Sequence, residues 1–296
     1  MAGLAAPNVF KINQSNMNNY KICCLYSGSK GNSTYIELGG KKILIDAGKS
    51  AKALCEALKS IGVDPKTLDA IFITHEHNDH VSALQTFSHK NSVPIHIMLN
   101  SARKFQGLCD EKLCNCLCIH DKSDFSVELD GVKITAFPTP HDSRASVGYR
   151  LEFEDVSIGY ATDIGYVTDE IQKMLTGCAS VILESNHDTE MLLFGPYPFE
   201  LKERITSRYG HLSNRECATL AAFLCQNGTR DILLAHLSEE NNTPALAYNE
   251  AFSAIGDASI NLRVASQYSP TWLVGGGEAV EYEDEFFKLW CKKESN

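Results

Sequence analysis

Four short apolar runs in this chain each empty into histidine or aspartate. "DAIFI" (69–73) leads straight into "THEHNDH", "VKITAFPTPH" ends at His141, "VSIGYATD" at Asp163 and "RDILLAH" at His236. A short apolar run bounded by polar or turn residues reads as a buried strand. Sites collect where such strands end, at the edges of sheets. The repeated ending therefore asks for layered sheets with chemistry at one rim.

The rest of the pattern agrees. Strands are expected at 21–27, 33–38, 42–46, 69–73, 95–98, 115–119, 124–128, 132–137, 147–153, 156–161, 180–184, 231–235 and 261–265. Helices are expected at 50–61, from Val81 onward, and at 168–175, 214–226 and 245–255. Strands meander in each half and helices recur between some of them, which predicts an α+β fold, a four-layer αββα sandwich. The domain is expected over 21–274, preceded by a polar, patternless extension at 1–20 and followed by a glycine-hinged acidic tail at 275–296. With 296 residues and 44% hydrophobic composition, the chain can bury a large core.

A net charge of -10 argues against coating nucleic acid by bulk electrostatics, though a local basic groove or a metal-dominated site remains compatible with it. No segment reaches the ~20 apolar residues of a membrane span, and the start lacks the pattern of a secretory signal. The 11 cysteines, an odd number, read as reduced thiols of a cytoplasmic protein. Within "LCDEKLCNCLC", the alternation of Cys114, Cys116 and Cys118 reads as one face of a strand; the spacing from Cys109 to Cys118 is not that of a zinc ribbon.

The segment His75 to His80 carries three histidines and two acids. His75 and His77, two apart on extended chain, put both imidazoles on one side. Asp79 and His80 sit where the loop turns into a helix and can face the same cavity. Imidazole with carboxylate suits Zn²⁺ or Mn²⁺, and four such residues split two and two can hold two adjacent ions. His141, Asp163 and His236 supply further ligand types at strand ends.

Taken in order, "ILIDAG", "THEHNDH", His141, "YATDIG" and "LLAHLS" resemble the five motifs of the metallo-β-lactamase superfamily. The resemblance implies that His75, His77 and His141 bind a first metal, that Asp79, His80 and His236 bind a second, and that Asp163 bridges them. It makes Asp46 a residue that orients ligands rather than binding metal. Histidine at 80 and 236, with no cysteine ligand, resembles the phosphodiesterase and nuclease branches more than the lactamases. Three further strings, "SGSKGNSTY", "LESNHD" and "SRYGHLSN", are similar to the single-domain YycJ (WalJ)-type group, regarded as DNA-directed exonucleases.

These motifs also have a physical reading. Ser213 followed by Glu216 is a capping-box signature, so His211 and Ser213 stand at a helix N-terminus where phosphate is favoured. His211 is a candidate phosphate ligand or proton donor, catalytic together with Asp79. Lys202, Arg204 and Arg208 lie just upstream. His187 at the end of "SVILESNH" is a candidate supporting or substrate residue, Ser29 and Asn32 in the glycine-rich turn are candidates to hydrogen-bond the site or the substrate phosphate, and Ser213 is a candidate substrate contact. The expected reaction is metal-assisted phosphodiester hydrolysis, with DNA as substrate and two Zn or Mn ions as cofactors. Rival readings are a small-molecule or cyclic-nucleotide phosphodiesterase and a thioester or lactam hydrolase. No membrane partner is expected, and the sequence leaves room for a homo-oligomer.

Overall fold

The computed structural model describes residues 20–107 and 109–274. The expected N-terminal extension, apart from Tyr20, and the acidic tail lie outside the described residues. The first sheet contains β1 (Tyr20–Tyr26), β2 (Ser33–Leu38), β3 (Lys41–Ile45), β4 (Ala70–Phe72), β5 (Ile95–Met98) and β6 (Leu117–His120). The second contains β7 (Ser126–Leu129), β8 (Val132–Pro138), β9 (Val147–Phe153), β10 (Val156–Ala161), β11 (Ser180–Glu184), β12 (Asp231–Ala235) and β13 (Asn261–Val264). A last strand, β14 (Thr271–Val274), returns to the first sheet beside β1. The two seven-stranded orders are β14-β1-β2-β3-β4-β5-β6 and β13-β12-β11-β10-β9-β8-β7.

The helices are α1 (Ala51–Ser60), α2 (Asn78–Val81), α3 (Leu84–Ser88), α4 (Leu99–Ala102), α5 (Glu111–Cys116), α6 (Asp169–Leu175), α7 (Thr189–Phe194), α8 (Phe199–Thr206), α9 (Asn214–Gln226) and α10 (Pro244–Ile255).

The period of two along each strand sorts its side chains into different cores. In β4, Ala70 and Phe72 face the space between the sheets, while Ile71 and, just past the strand, Ile73 face the helical layer. In β12, Leu233 and Ala235 point inward between the sheets, and Ile232 and Leu234 point out toward α9 and α10. Three apolar clusters result: helix on sheet, sheet on sheet, and sheet on helix. This is the αββα sandwich that the pattern predicts.

Three differences have local causes. The Cys114–Cys116–Cys118 alternation is not a strand face. Asp110 caps Leu113 N–H through its side chain, and Leu113 and Cys116, three apart, are buried together, so 111–116 coils into α5 before β6 begins. Cys109 and Cys114, with Cα atoms 5.8 Å apart around that cap, form a disulfide, contrary to the expectation of thiols throughout. Tyr20 belongs to β1 rather than to an extension: its hydroxyl meets Ser180 Oγ at 2.8 Å and Asp231 Oδ2 at 3.3 Å, tying the sheets together.

Candidate metal centre

Strands β3, β4, β8, β10, β11 and β12 all deliver a polar or titratable residue just past, or at, their C-terminal ends. The sheets are tethered at this rim. Tyr149 donates its hydroxyl to Ile73 O at 2.6 Å, Val147 N–H to Thr74 O at 3.0 Å, and His236 N–H to Ser27 Oγ at 2.6 Å. Three of the delivered residues hold left-handed backbone: Asp46 (φ 61°), Asp163 (φ 57°) and His236 (φ 58°). That region costs an L-residue with a Cβ roughly 1–2 kcal/mol, and it persists where the surroundings force it, characteristically at functional sites. Gly48 closes the floor of the loop. A Cβ there would lie 1.9 Å from Asp79 O, so the chain can run this close to 79–80 only as glycine.

The residues predicted as ligands come together. One ligand atom from each of His75, His77 and His141 lies within 4.8 Å of the others, and the same holds for Asp79, His80 and His236. Two further such groups are His75, His80 and Asp163, and Asp163, Glu184, His211 and His236. Among the described residues, no cysteine belongs to any of these groups.

Four of the imidazoles are oriented in the same sense, with Nδ1 engaged behind. His80 Nδ1 meets Asp46 Oδ2 at 2.8 Å, and His236 Nδ1 meets Glu184 Oε1 at 2.8 Å. His141 Nδ1 donates to Gly210 O at 3.2 Å, and His75 Nδ1 contacts Thr74 Oγ1 at 3.0 Å. Asp46, fully buried, also accepts Thr74 N–H at 2.8 Å and its hydroxyl at 2.9 Å. Its geometry is that of an orienting group, the role the resemblance implies.

Electrostatics follow from burial. Burial and the neighbouring imidazoles push His75 well below the ordinary histidine range, which keeps it neutral. Burial also works against a charged His80, yet Asp46, Asp163 and Asp79 together hold it well above that range. For Asp79, burial is outweighed by His80 and His236, and the carboxyl lies below its usual range.

Glu184 was not assigned a role from the sequence. It is fully buried at the end of β11 and accepts four hydrogen bonds. Oε1 meets both His236 Nδ1 and His211 Nδ1 at 2.8 Å, and Oε2 accepts Ile164 N–H at 2.8 Å and Leu212 N–H at 3.1 Å. The signal was available: "SVILE" is another apolar run that empties into a carboxylate. Glu76 also went unassigned. It accepts Ser101 Oγ and Arg144 N–H, both at 2.8 Å, so it braces neighbouring loops.

His211 stands at the rim, its imidazole 19% exposed, with its ring centroid 5.1 Å from that of His141 and 5.2 Å from that of His236. The three residues expected to contact the site or the substrate phosphate have different surroundings. Ser29 is exposed. The Ser213 hydroxyl is committed to the capping box with Glu216, at 2.7 Å. Asn32 is buried against the ligand cluster, its Nδ2 3.0 Å from Asp79 Oδ2 and 3.1 Å from His80 Nε2, so it positions those groups. His187 is buried beside α9, outside the clustered sets; its carbonyl accepts Asn214 N–H at 2.8 Å and its Nδ1 has no partner.

Comparison with known proteins fits this geometry. Residues 41–237 match the sequence model of the Beta-lactamase superfamily domain. The exodeoxyribonuclease WalJ of Streptococcus pneumoniae serotype 2 is 34% identical over 249 residues, covering 83% of this chain and 91% of the relative. The exodeoxyribonuclease YycJ of Bacillus anthracis is 34% identical over 227 residues, 75% of this chain and 84% of the relative. Among solved structures, the metallo-β-lactamase fold protein YhfI from Bacillus subtilis superimposes with a TM-score of 0.66 at 17% identity, over 86% of this chain and 99% of that one, and shares the fold. This chain belongs to the metallo-β-lactamase superfamily and, within it, to the family of the WalJ and YycJ proteins.

Proposed function

We propose that this protein is a binuclear-metal-dependent phosphodiester hydrolase that degrades DNA from an end. The observation that carries the reading is a set of buried, orphaned ligand atoms. His75 Nε2, His236 Nε2 and Asp163 Oδ2 have no hydrogen-bond partner within the protein. A buried polar atom left unpaired costs about 1–3 kcal/mol, so three such atoms on residues of the clustered groups fit bound cations better than a void. His75, His77 and His141 would hold one divalent ion, Asp79, His80 and His236 a second, with Asp163 shared. The nitrogen and oxygen donors suit Zn²⁺ or Mn²⁺. When bound, such ions act as Lewis acids toward phosphoryl oxygen and lower the pKa of water from 15.7 to about 7.

The protein's own groups supply the rest. Asp46 and Glu184 engage Nδ1 of His80 and His236, which makes Nε2 the nitrogen each would offer to a metal. Glu184 also fixes His211 through Nδ1, and in its imidazolium form that ring can donate from Nε2 at the mouth of the site. A donor so placed can bind a phosphate oxygen or protonate a departing alkoxide, an effect worth about 10²–10⁴ in rate. The adjoining N-terminus of α9 favours the same anion. The names of the two relatives, both exodeoxyribonucleases, support DNA as the substrate.

The test is a substrate panel: labelled DNA, labelled RNA, bis-p-nitrophenyl phosphate and a lactam, each with Mn²⁺ or Zn²⁺. Shortening of DNA from an end together with hydrolysis of the small diester is expected. Efficient lactam opening with every phosphodiester left intact would sink the proposal.

A further inference from the structure

Helix α8 follows the candidate site's outer wall and contributes no buried residue. A helix with no apolar face in a core is usually held by polar contacts, and this one is. Lys202 Nζ donates to Leu193 O and Gly195 O, both at 2.8 Å, which clamps α8 to the end of α7. Arg204 Nε donates to Asp142 Oδ2 at 2.5 Å. Beyond α8 the chain turns sharply. His211 N–H reaches back to Ile205 O at 2.9 Å, and a Cβ on Gly210 would lie 2.0 Å from that carbonyl. The segment is therefore well anchored, yet it presents bare rings: Phe194 is 81% exposed, Phe199 68% and Tyr209 60%.

One of these rings adjoins the candidate site. Tyr209 lies two residues before His211, and its carbonyl accepts Asp142 N–H at 2.9 Å, next to His141. From there α8 runs about 12 Å, at 1.5 Å per residue, back to Phe199 and the end of α7. Arg208 stands beside Tyr209 with its guanidinium 4.2 Å from the centroid of the Tyr166 ring. Glu200 and Glu203 share the helix with Lys202 and Arg204, so the strip is close to neutral in a chain of net charge -10. It is thus a place where a polyanion is not repelled and where the main attraction on offer is the face of a ring.

Resting on the hydrolase reading above, we propose that Phe194, Phe199 and Tyr209 form a stacking ledge for single-stranded nucleic acid, which seats the bases next to the scissile phosphate. Every base has a π-face, so the ledge is indifferent to sequence. It requires the strand to be unpaired where it enters the site, since a base inside a duplex offers no face to a side chain.

The experiment uses the metal-reconstituted protein and steady-state kinetics on a fluorescent single-stranded oligonucleotide. Bis-p-nitrophenyl phosphate, too small to span site and ledge, reports on the chemistry. Phe194→Ala, Phe199→Ala and Tyr209→Ala should each raise KM for the oligonucleotide by a factor of about five to a hundred, with kcat and metal content retained. The effect should persist at raised salt, because stacking is not screened as ion pairs are. Phe199→Trp should retain the wild-type KM, whereas Phe199→Leu, apolar but without a ring, should behave as the alanine variant. Unchanged KM in all three alanine variants overturns the ledge, as does full rescue by leucine. A dimer that the variants dissociate while DNA kinetics stay unchanged also overturns it and makes the strip a contact between copies. An unmodified protein that degrades duplex DNA but leaves single-stranded DNA intact overturns it as well; failure of the parent reading looks different, because the unmodified protein then leaves bis-p-nitrophenyl phosphate and DNA of either form intact.

Discussion

Replacing Glu184 by glutamine changes one oxygen for an amide nitrogen and should disable the site from behind. Burial works against the charge of this carboxylate, but His211 and His236 hold it below the usual carboxylate range, so it is ionised at neutral pH. All four of its hydrogen bonds are accepted. A glutamine has one accepting oxygen. If that oxygen keeps the two backbone donors, Ile164 and Leu212 N–H, the NH₂ group faces both imidazoles. Each must then accept at Nδ1 and carry its proton on Nε2. A protonated Nε2 cannot ligate a metal, so His236 is lost to the ion it would hold. Substitutions behind a ligand typically cost 10–100-fold in metal affinity, about 1.4–2.7 kcal/mol. The same flip removes the charge that steadies His211, so kcat on DNA should fall further than metal loss alone explains. The variant should fold, because the backbone donors stay satisfied. Chelator-competition titration of both ions, together with kcat on DNA at saturating metal, reads the outcome. Wild-type affinity for both ions and wild-type kcat in Glu184→Gln would refute the tautomer argument and leave Glu184 as a packing residue.

Other perturbations probe separate parts of the account. His211→Ala should keep its metal content and lose about 10²–10⁴ in kcat on DNA, with a smaller loss on bis-p-nitrophenyl phosphate, whose leaving group needs no acid; equal losses on both would assign it to phosphate binding alone. Gly48→Ala places a Cβ 1.9 Å from Asp79 O and should lower stability by about 3 kcal/mol or more by denaturant titration, taking metal binding with it; a near-neutral result contradicts the close approach. His96 belongs to none of the ligand groups; it is stacked on Phe72 and hydrogen-bonded to His120 at 3.0 Å, and burial, then His120, depresses it from 6.5 to about 4. Its folded-state value is below its unfolded one, so its contribution is fully present above about pH 6.5 and is lost as pH falls toward 4. The stability of His96→Phe should depend less on pH in that window, and an unchanged profile would count against the buried neutral pair.

Much of this was legible in the sequence because the same signal recurs. An apolar run that ends on a ligand-type residue identifies a buried strand and a site residue at once, and β4, β8, β10 and β12 all carry it. Glu184 carries it as well, but a glutamate ending a strand is also an ordinary turn residue; only the fold shows two imidazoles converging on it. For Asn32 and Ser213 the sequence leaves open whether a polar side chain in a turn or cap serves the site or the substrate. In the fold, one is enclosed by Asp79 and His80 and the other is used by its own helix. Helices α4, α7 and α8 were invisible because they are short and α8 buries nothing, so no 3.6-residue apolar period marks them. The cysteine alternation misled because a period of two competes with one buried pair three apart, Leu113 and Cys116, and the cap at Asp110 decides for the helix.

The central claim is that seven residues hold two divalent ions through Asp163 as the shared carboxylate, and that both ions are needed to cleave a phosphodiester. The most direct measurement is elemental analysis of chelator-stripped protein reconstituted with Mn²⁺ or Zn²⁺ and passed over a desalting column, with DNA hydrolysis followed on the same samples. The account predicts two ions per chain in the unmodified protein and activity that rises with the second. It also predicts that Asp163→Ala retains at most one ion and no hydrolysis. A single tightly held ion in a fully active wild-type protein, or an Asp163→Ala variant that keeps two ions and its rate, contradicts it.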